Sequence, residues 1–302
     1  MRSNITYLFV LLFSFFTGIQ EIRGQQLPLY TQFMFNSYVF NPAVAGINNH
    51  YQVRLNSRFQ WVGMTDSPQT NSLSYYGPHP TKPMGFGGYI YTDITGPTSR
   101  NGLYGSYSYN MPVFPGMRLS MGLSAGMIQN RVDGTKISFR DRSDPIAANN
   151  TVSSDFSPDA SVGVYLYSWD FNIGLSAHQL FGNTLNLFEE STGLNKLKTH
   201  FYLTGAYRYF VDDDYSLEPG VIIRGSMPTP VQMDISLKAY YQNLMWLGIL
   251  VRTQDAMSFL LGYTHENRFH FGYSYDMGLS PIRHHNSGSH EIFLGIRFSP
   301  VK

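Results

Sequence analysis

The sequence predicts an all-β protein: a transmembrane antiparallel β-barrel of about 14 strands behind an irregular N-terminal segment. Three observations carry that prediction. Apolar and polar residues alternate with period two in one stretch after another, which makes strands with one face of each kind. Charged residues are only 14% of the 302, against about 25% in a soluble domain that must wet its whole surface. Connections between the alternating stretches are long and short by turns, the habit of outer-membrane barrels.

In chain order, Arg2 precedes an apolar run from Tyr7 to Ile19, then Ile22-Arg23-Gly24 and polar Gln25-Gln26. This is the layout of a secretory signal peptide over residues 1–24, cut after Gly24. A membrane-anchoring helix is the competing reading, but the run is shorter than the ~20 residues a helical span needs. Residues 25–48 are aromatic and broken by Asn41-Pro42 and Gly46; they form a separate segment that is periplasmic or packed in the lumen. The barrel occupies 49–302. In its first strand Tyr51, Val53, Leu55, Phe59 and Trp61 share one face, and Gln52, Arg54, Asn56, Arg58 and Gln60 the other. The spans that follow are 70–77, 84–92, 102–111, 117–129, 159–168, 170–178, 199–210, 215–225, 232–241, 244–252, 256–264, 267–276 and 289–299. Only 244–252 is apolar on both parities. Ile292, Leu294, Ile296 and Phe298 alternate in the last strand, which must pair with 51–61 to remove the edges.

Within the clear strands, Arg54, Arg58, Arg118, Arg208, Glu218, Arg224, Asp234, Lys238, Arg268, Asp276, Glu291 and Arg297 all take the parity opposite the apolar set. A lipid-facing Arg or Lys costs about 2 to 4 kcal/mol at mid-membrane, so one face free of charge suits a lipid wall. With both termini periplasmic, the outward loops 63–69, 93–101, 130–158, 179–198 and 277–289 are long. The inward turns at Ser168-Trp169, Val211–Asp214, Gln242-Asn243 and His265-Glu266 are short, and the loops near 226–231 and 253–255 depart from the rule. Alternation alone leaves open a soluble sandwich with the apolar face inside.

No stretch carries a catalytic signature: there is no H-E-x-x-H, phosphate loop or G-x-S-x-G elbow. Without cysteine there are no disulfides and no thiolate metal sites. His284, His285 and His290 lie together without a carboxylate at helical spacing, and Asp212-Asp213-Asp214 reads as a wet turn, so no metal or cofactor is expected. Ser176 and His178 are the only pair a barrel lipid hydrolase could use. The Gly85–Gly88 run suits curvature or close packing, and a formal charge of +1 argues against nucleic acid.

Tyr30-Thr-Gln-Phe-Met-Phe-Asn36, Asn41-Pro-Ala-Val-Ala-Gly46, Arg58, Trp61-Val-Gly63 and Pro68-Gln-Thr70 follow one another in an order that resembles the PorP/SprF family of type IX secretion membrane proteins. The likeness continues through Asp144-Pro145, Ser157-Pro-Asp159, Gly174–His178, His200, Tyr273–Asp276 and Gly288–Glu291. It implies a Bacteroidetes outer-membrane barrel without catalysis, working with the type IX export and gliding apparatus. Implied partners are a secreted adhesin or other cargo carrying a conserved C-terminal domain, periplasmic ring and peptidoglycan-anchoring components, and outer-membrane lipid. The candidate partner-binding residues are Asn41, Pro42, Arg58, Trp61, Pro158, Asp159 and His178. A channel for small or hydrophobic solutes is the alternative, since fourteen strands can enclose a path if nothing fills it.

Overall fold

The computed structural model describes residues 28–137, 151–185, 196–227 and 229–300; the predicted leader and its cleavage after Gly24 lie outside them. The strands are β1 (His50–Phe59), β2 (Gln69–Pro78), β3 (Met84–Thr95), β4 (Thr98–Phe114), β5 (Met117–Asp133), β6 (Val152–Tyr167), β7 (Phe171–His178), β8 (His200–Tyr207), β9 (Tyr209–Phe210), β10 (Tyr215–Ser226), β11 (Gln232–Tyr241), β12 (Met245–Arg252), β13 (Ala256–His265), β14 (Phe269–Gly278) and β15 (Ser289–Pro300). Every strand pairs antiparallel with its neighbours, and both β8 and the two-residue β9 pair with β10. These two are one stave interrupted at Arg208, so the barrel has fourteen. Closure comes from β15 on β1, with Ile296 opposite Val53 and Leu294 opposite Leu55.

The direction of the two faces is settled by burial. On β1, Gln52, Arg54, Asn56 and Arg58 are buried, with Arg58 only 2% exposed, whereas Leu55 and Phe59 are each 38% exposed. The same holds on β5, where Met121, Leu123 and Met127 face out and Ser120, Ser124 and Ile128 face in. Apolar side chains therefore form the outer wall, and the sandwich reading, which puts them inside, is overturned. No helix among the described residues is long and apolar enough to cross a membrane; the crossing is made by strands. At the end with the short turns, exposed Trp169 stacks on Phe210 at 5.3 Å and Tyr215 lies against Tyr241 at 5.1 Å, as an interfacial aromatic girdle does.

Several boundaries differ from the sequence expectation. The loop expected over 93–101 is a tight turn at Gly96-Pro97, because β3 and β4 stay paired up to Thr95 and Thr98. β5 and β6 likewise run on to Asp133 and Val152, shortening the expected 130–158 connection. Since β6 pairs with β7 only from Val162 onward while β5 stays paired with β4 up to Thr98 opposite Val132, the outer part of the β5–β6 hairpin outruns β7 and stays level with β4. Pro158 sits in this overshooting part, where its missing N–H costs no ladder bond on the β7 side. β1 ends at Phe59; Trp61 has φ 51° and donates its N–H to Ser289 Oγ at 3.1 Å, so it belongs to the loop rather than the outward wall. Arg268 falls in the turn before β14 rather than on a strand. At the short-turn end, Gln242-Asn243 and Glu266-Asn267 all have positive φ, the consecutive left-handed pairs that match strand twist in two-residue hairpins. In the Asp212–Asp214 turn, Asp212 Oδ1 accepts from Asp214 N and Tyr215 N at 2.9 and 2.7 Å, which is a side-chain-capped turn.

The plugged lumen as candidate functional site

Polar residues that alternate inward need partners, and the segment from Pro28 to Gly46 supplies them. It lies inside the barrel as three short 3-10 turns, Phe33–Phe35, Ser37–Val39 and Pro42–Gly46. It runs along the barrel from the long-loop end, where Thr31 meets the last residues of β12 and β14, to the short-turn end, where Gly46 meets the start of β3.

The outer half of the plug is held by charge. Thr31 N and Gln32 N donate to the two Glu291 carboxylate oxygens at 2.6 and 3.2 Å, and Thr31 Oγ1 donates to Asp276 Oδ2 at 2.7 Å. Arg58 Nη2 pairs with Asp276 at 2.7 Å while its Nη1 donates to Thr31 Oγ1 at 2.7 Å. Arg252 joins the cluster through Asp234 at 3.1 Å, Asp255 at 3.2 Å and Asp276 at 3.6 Å, and Arg224 pairs with Asp234. Three guanidinium groups thus meet three carboxylates that are 2% exposed or less, with Asp255 at the margin. Farther round the wall, Lys238 pairs with Glu218 at 2.5 Å and lies 4.8 Å from the centre of the Phe35 ring of the plug.

The inner half is held by backbone acceptors and by space. Ser176 Oγ and His178 Nε2 both reach Phe40 O, at 2.5 and 2.6 Å, and His178 Nδ1 lies 3.1 Å from Ser161 Oγ. Asn41 Oδ1 accepts from Ala43 N at 3.0 Å to cap the last turn, and Asn41 Nδ2 donates to Val164 O at 2.9 Å. Ser120 Oγ donates to Ala43 O at 2.6 Å. A Cβ on Gly122 would lie 2.3 Å from Ala43 N, and one on Gly85 2.3 Å from Gly46 Cα, so plug backbone occupies the room those side chains would need. Gly122→Val is accordingly expected to unseat the Asn41–Gly46 turn. Limited proteolysis of the folded barrel should then cut within 28–46 at least tenfold faster than in wild type; equal rates would show that the cradle does not hold the plug.

Apolar packing completes the seal. Trp246 stacks on Phe35 at 4.2 Å, Tyr38 on Tyr76 at 4.5 Å, and Leu250 and Leu260 join Tyr30, Phe33 and Phe40 in one buried cluster. This explains why β12 reads as apolar on both parities: its inward residues Trp246 and Leu250 pack on the plug while Leu247 and Ile249 face lipid. A cavity of about 30 Å³ remains between plug and wall beside Tyr89, Tyr104, Asp159 and His178, room for about one water.

Of the predicted partner-binding residues, Asn41, Pro42, Asp159 and His178 are buried in the inner part of the plug and its seat and Arg58 in the outer part, Asp159 accepting from Tyr104 OH at 2.6 Å. Trp61 and Pro158 lie apart, in the outer loop after β1 and on the exposed side of β6. Ser176 and His178 do not form a nucleophile and base. Both point at one carbonyl inside the lumen, away from lipid, so the hydrolase constellation is absent there. Sequence reasoning missed Thr31, Gln32 and Arg252. The fully buried Arg252 closes the strand of mixed parity, and its place on the parity of Trp246 and Leu250 was the available signal.

A family profile described as "Type IX secretion system membrane protein PorP/SprF" matches residues 22–296. The chain belongs to the PorP/SprF family. This agrees with the resemblance carried by the motifs, and with the fold it makes the protein an outer-membrane component of type IX secretion. No curated protein matches it. Among solved structures, the toluene transporter TodX of Pseudomonas putida is similar with a TM-score of 0.50 at 7% identity, covering 88% of this chain and 93% of that one. The CymD monoaromatic hydrocarbon channel gives a TM-score of 0.49 at 12% identity over 91% and 93%. Omp33 of Acinetobacter baumannii gives 0.46 at 9% identity over 82% and 97%. At such identities TodX attests the barrel fold and nothing about solutes.

Proposed function

We propose that this PorP/SprF member is a non-enzymatic scaffold that helps export a secreted adhesin or similar cargo and retains it at the cell surface through the cargo's C-terminal domain. Its short-turn end faces the periplasmic ring and peptidoglycan-anchoring components. The observation that carries the proposal is the plug: a lumen filled by the chain's own Pro28–Gly46 segment, fixed at every level, suits a rigid platform better than an open solute path. The outer end of the β5–β6 hairpin and the connections after β5 and β7 are the surface offered to cargo, since binding residues concentrate on loops set on a rigid frame. In this reading Asn41, Arg58, Asp159 and His178 act from within by holding the platform in shape, and Trp61 and Pro158 stand at the outer surface. Deleting residues 134–151, which leaves β5 and β6 whole, should abolish surface retention of cargo while the barrel still inserts. Immunoblotting of intact cells and of medium reads this out, and cargo retained at the wild-type level would end the proposal. A mild-detergent pull-down of the tagged protein identifies the cargo.

A further inference from the structure

The outer wall of β1–β5 carries a row of polar side chains at the outer border of its apolar belt. Ser57 stands opposite Asn71, Asn71 opposite Thr92, Thr92 opposite Asn101, and Asn101 opposite Gln129. Ser57 Oγ donates to Asn71 Oδ1 at 2.6 Å, the Thr92 hydroxyl to Asn101 Oδ1, and Asn101 Nδ2 to Gln129 Oε1 at 3.2 Å. The row faces outward, because Leu55 and Phe59 flank Ser57 and Ile90 and Ile94 flank Thr92, all four exposed. One pleat closer to the outer rim, exposed Phe59 and Ile94 alternate with Gln69, Ser99 and Arg131, so the row marks the border where the apolar belt gives way to a mixed layer. Its three carbonyl oxygens are used within the row, whereas Asn71 Nδ2 and Gln129 Nε2 have no acceptor among the described residues. Beside the row runs an open groove of about 530 Å³ lined by Leu55, Leu73, Ile90, Leu103, Met127 and Phe156. Exposed Arg131 lies two residues beyond Gln129 on the same face; the Asp133 carboxylate, hydrogen-bonded by Thr135, lies within electrostatic reach of both Arg131 and Lys136.

We infer that this wall is a binding site for a phosphorylated, multiply acylated glycolipid of the outer leaflet. An acyl chain lies in the groove, the Asn71 and Gln129 amides donate to its linkage carbonyls, and Arg131 meets a phosphate. The match is one of donors to acceptors. A transmembrane protein partner keeps its backbone carbonyls paired internally, whereas ester and phosphate oxygens of a lipid at this depth are free to accept. Polar side chains on a lipid wall are otherwise a cost.

The test uses the full chain purified in mild detergent, delipidated, and titrated with diphosphoryl lipid A followed by native mass spectrometry. Wild type should hold one lipid A per chain, and Asn71→Leu/Gln129→Leu should bind at least tenfold more weakly. Arg131→Gln should weaken diphosphoryl lipid A but not the dephosphorylated form. Leucine suits a lipid wall, so the variants fold, which heat-modifiable gel mobility checks. Equal lipid binding by wild type and the double variant overturns the inference. So does loss of a co-purified membrane protein from the double variant with lipid uptake unchanged, which reassigns the wall to protein contact.

Discussion

Arg58→Met should destabilise the folded barrel by about 3 to 5 kcal/mol, the usual consequence of removing one partner from a buried ion pair. Arg58 holds Asp276 at 2.7 Å, reaches Glu291 at 3.5 Å and donates to Thr31 Oγ1. Without it, Arg224 and Arg252 face Asp234, Asp276 and Glu291, one carboxylate in excess in a lumen closed to water. Glu291 retains the backbone N–H groups of Thr31 and Gln32 and the Asn56 amide at 3.2 Å, which keeps the cost from being larger. Adding Glu291→Gln to Arg58→Met should therefore recover part of the loss by removing the surplus charge. Equilibrium urea unfolding of barrels reconstituted in vesicles measures both steps. A single-variant midpoint equal to wild type, or a double variant less stable than the single one, would show that the cluster is not a coupled network.

Deleting residues 28–46 should convert a silent barrel into a steady ohmic pore in planar bilayers. The plug touches β1, β2, β3, β5, β6, β7, β11, β12, β14 and β15 through the contacts named above, and its removal exposes a lumen lined by Arg, Asp, Glu, Asn and Ser. Those side chains lose Thr31, Gln32, Asn36 and Asn41 as partners, but water takes their place. The barrel ladder, from β1 through to β15, does not involve the plug, so insertion should survive the deletion. Here the physics is the reverse of the Arg58 case: an unpaired charge is costly in a dry lumen and cheap in a flooded one. Wild type conducting as well as the deletion would mean that the segment does not seal the path, and would return solute transport to first place.

Strand number and order, and the division of each strand into a charged and an apolar face, were legible because the cause is local. A period of two is imposed by the pleat, and lipid on one side excludes charge from every second position, so Arg54, Arg58, Lys238 and Glu291 mark one face without reference to any contact, while burial decides that this face looks inward. Turn lengths were legible for the same reason at Gln242-Asn243. The expected loop at 93–101 was not, because Ile94, Thr95, Thr98 and Ser99 form strand only by pairing with residues already held in the neighbouring staves. Pro158 shows the opposite limit: it is compatible with a strand only where β6 outruns β7, a fact of register.

The plug marks the division most clearly. Its composition set it apart as irregular and aromatic, and the run of glycines at Gly85–Gly88 suggested close approach, but not to what. That Gly122 makes room for Ala43, that Ser176 and His178 converge on Phe40 O, and that Thr31 sits between Asp276 and Glu291 are pairings across as many as 260 residues of chain. By itself the sequence determined a repeating set of strands with one charged and one apolar face, since alternation and charge placement act residue by residue. Only the tertiary structure decided that the interior is filled, and by which segment, because a buried polar group specifies that it must have a partner and leaves the fold to choose it.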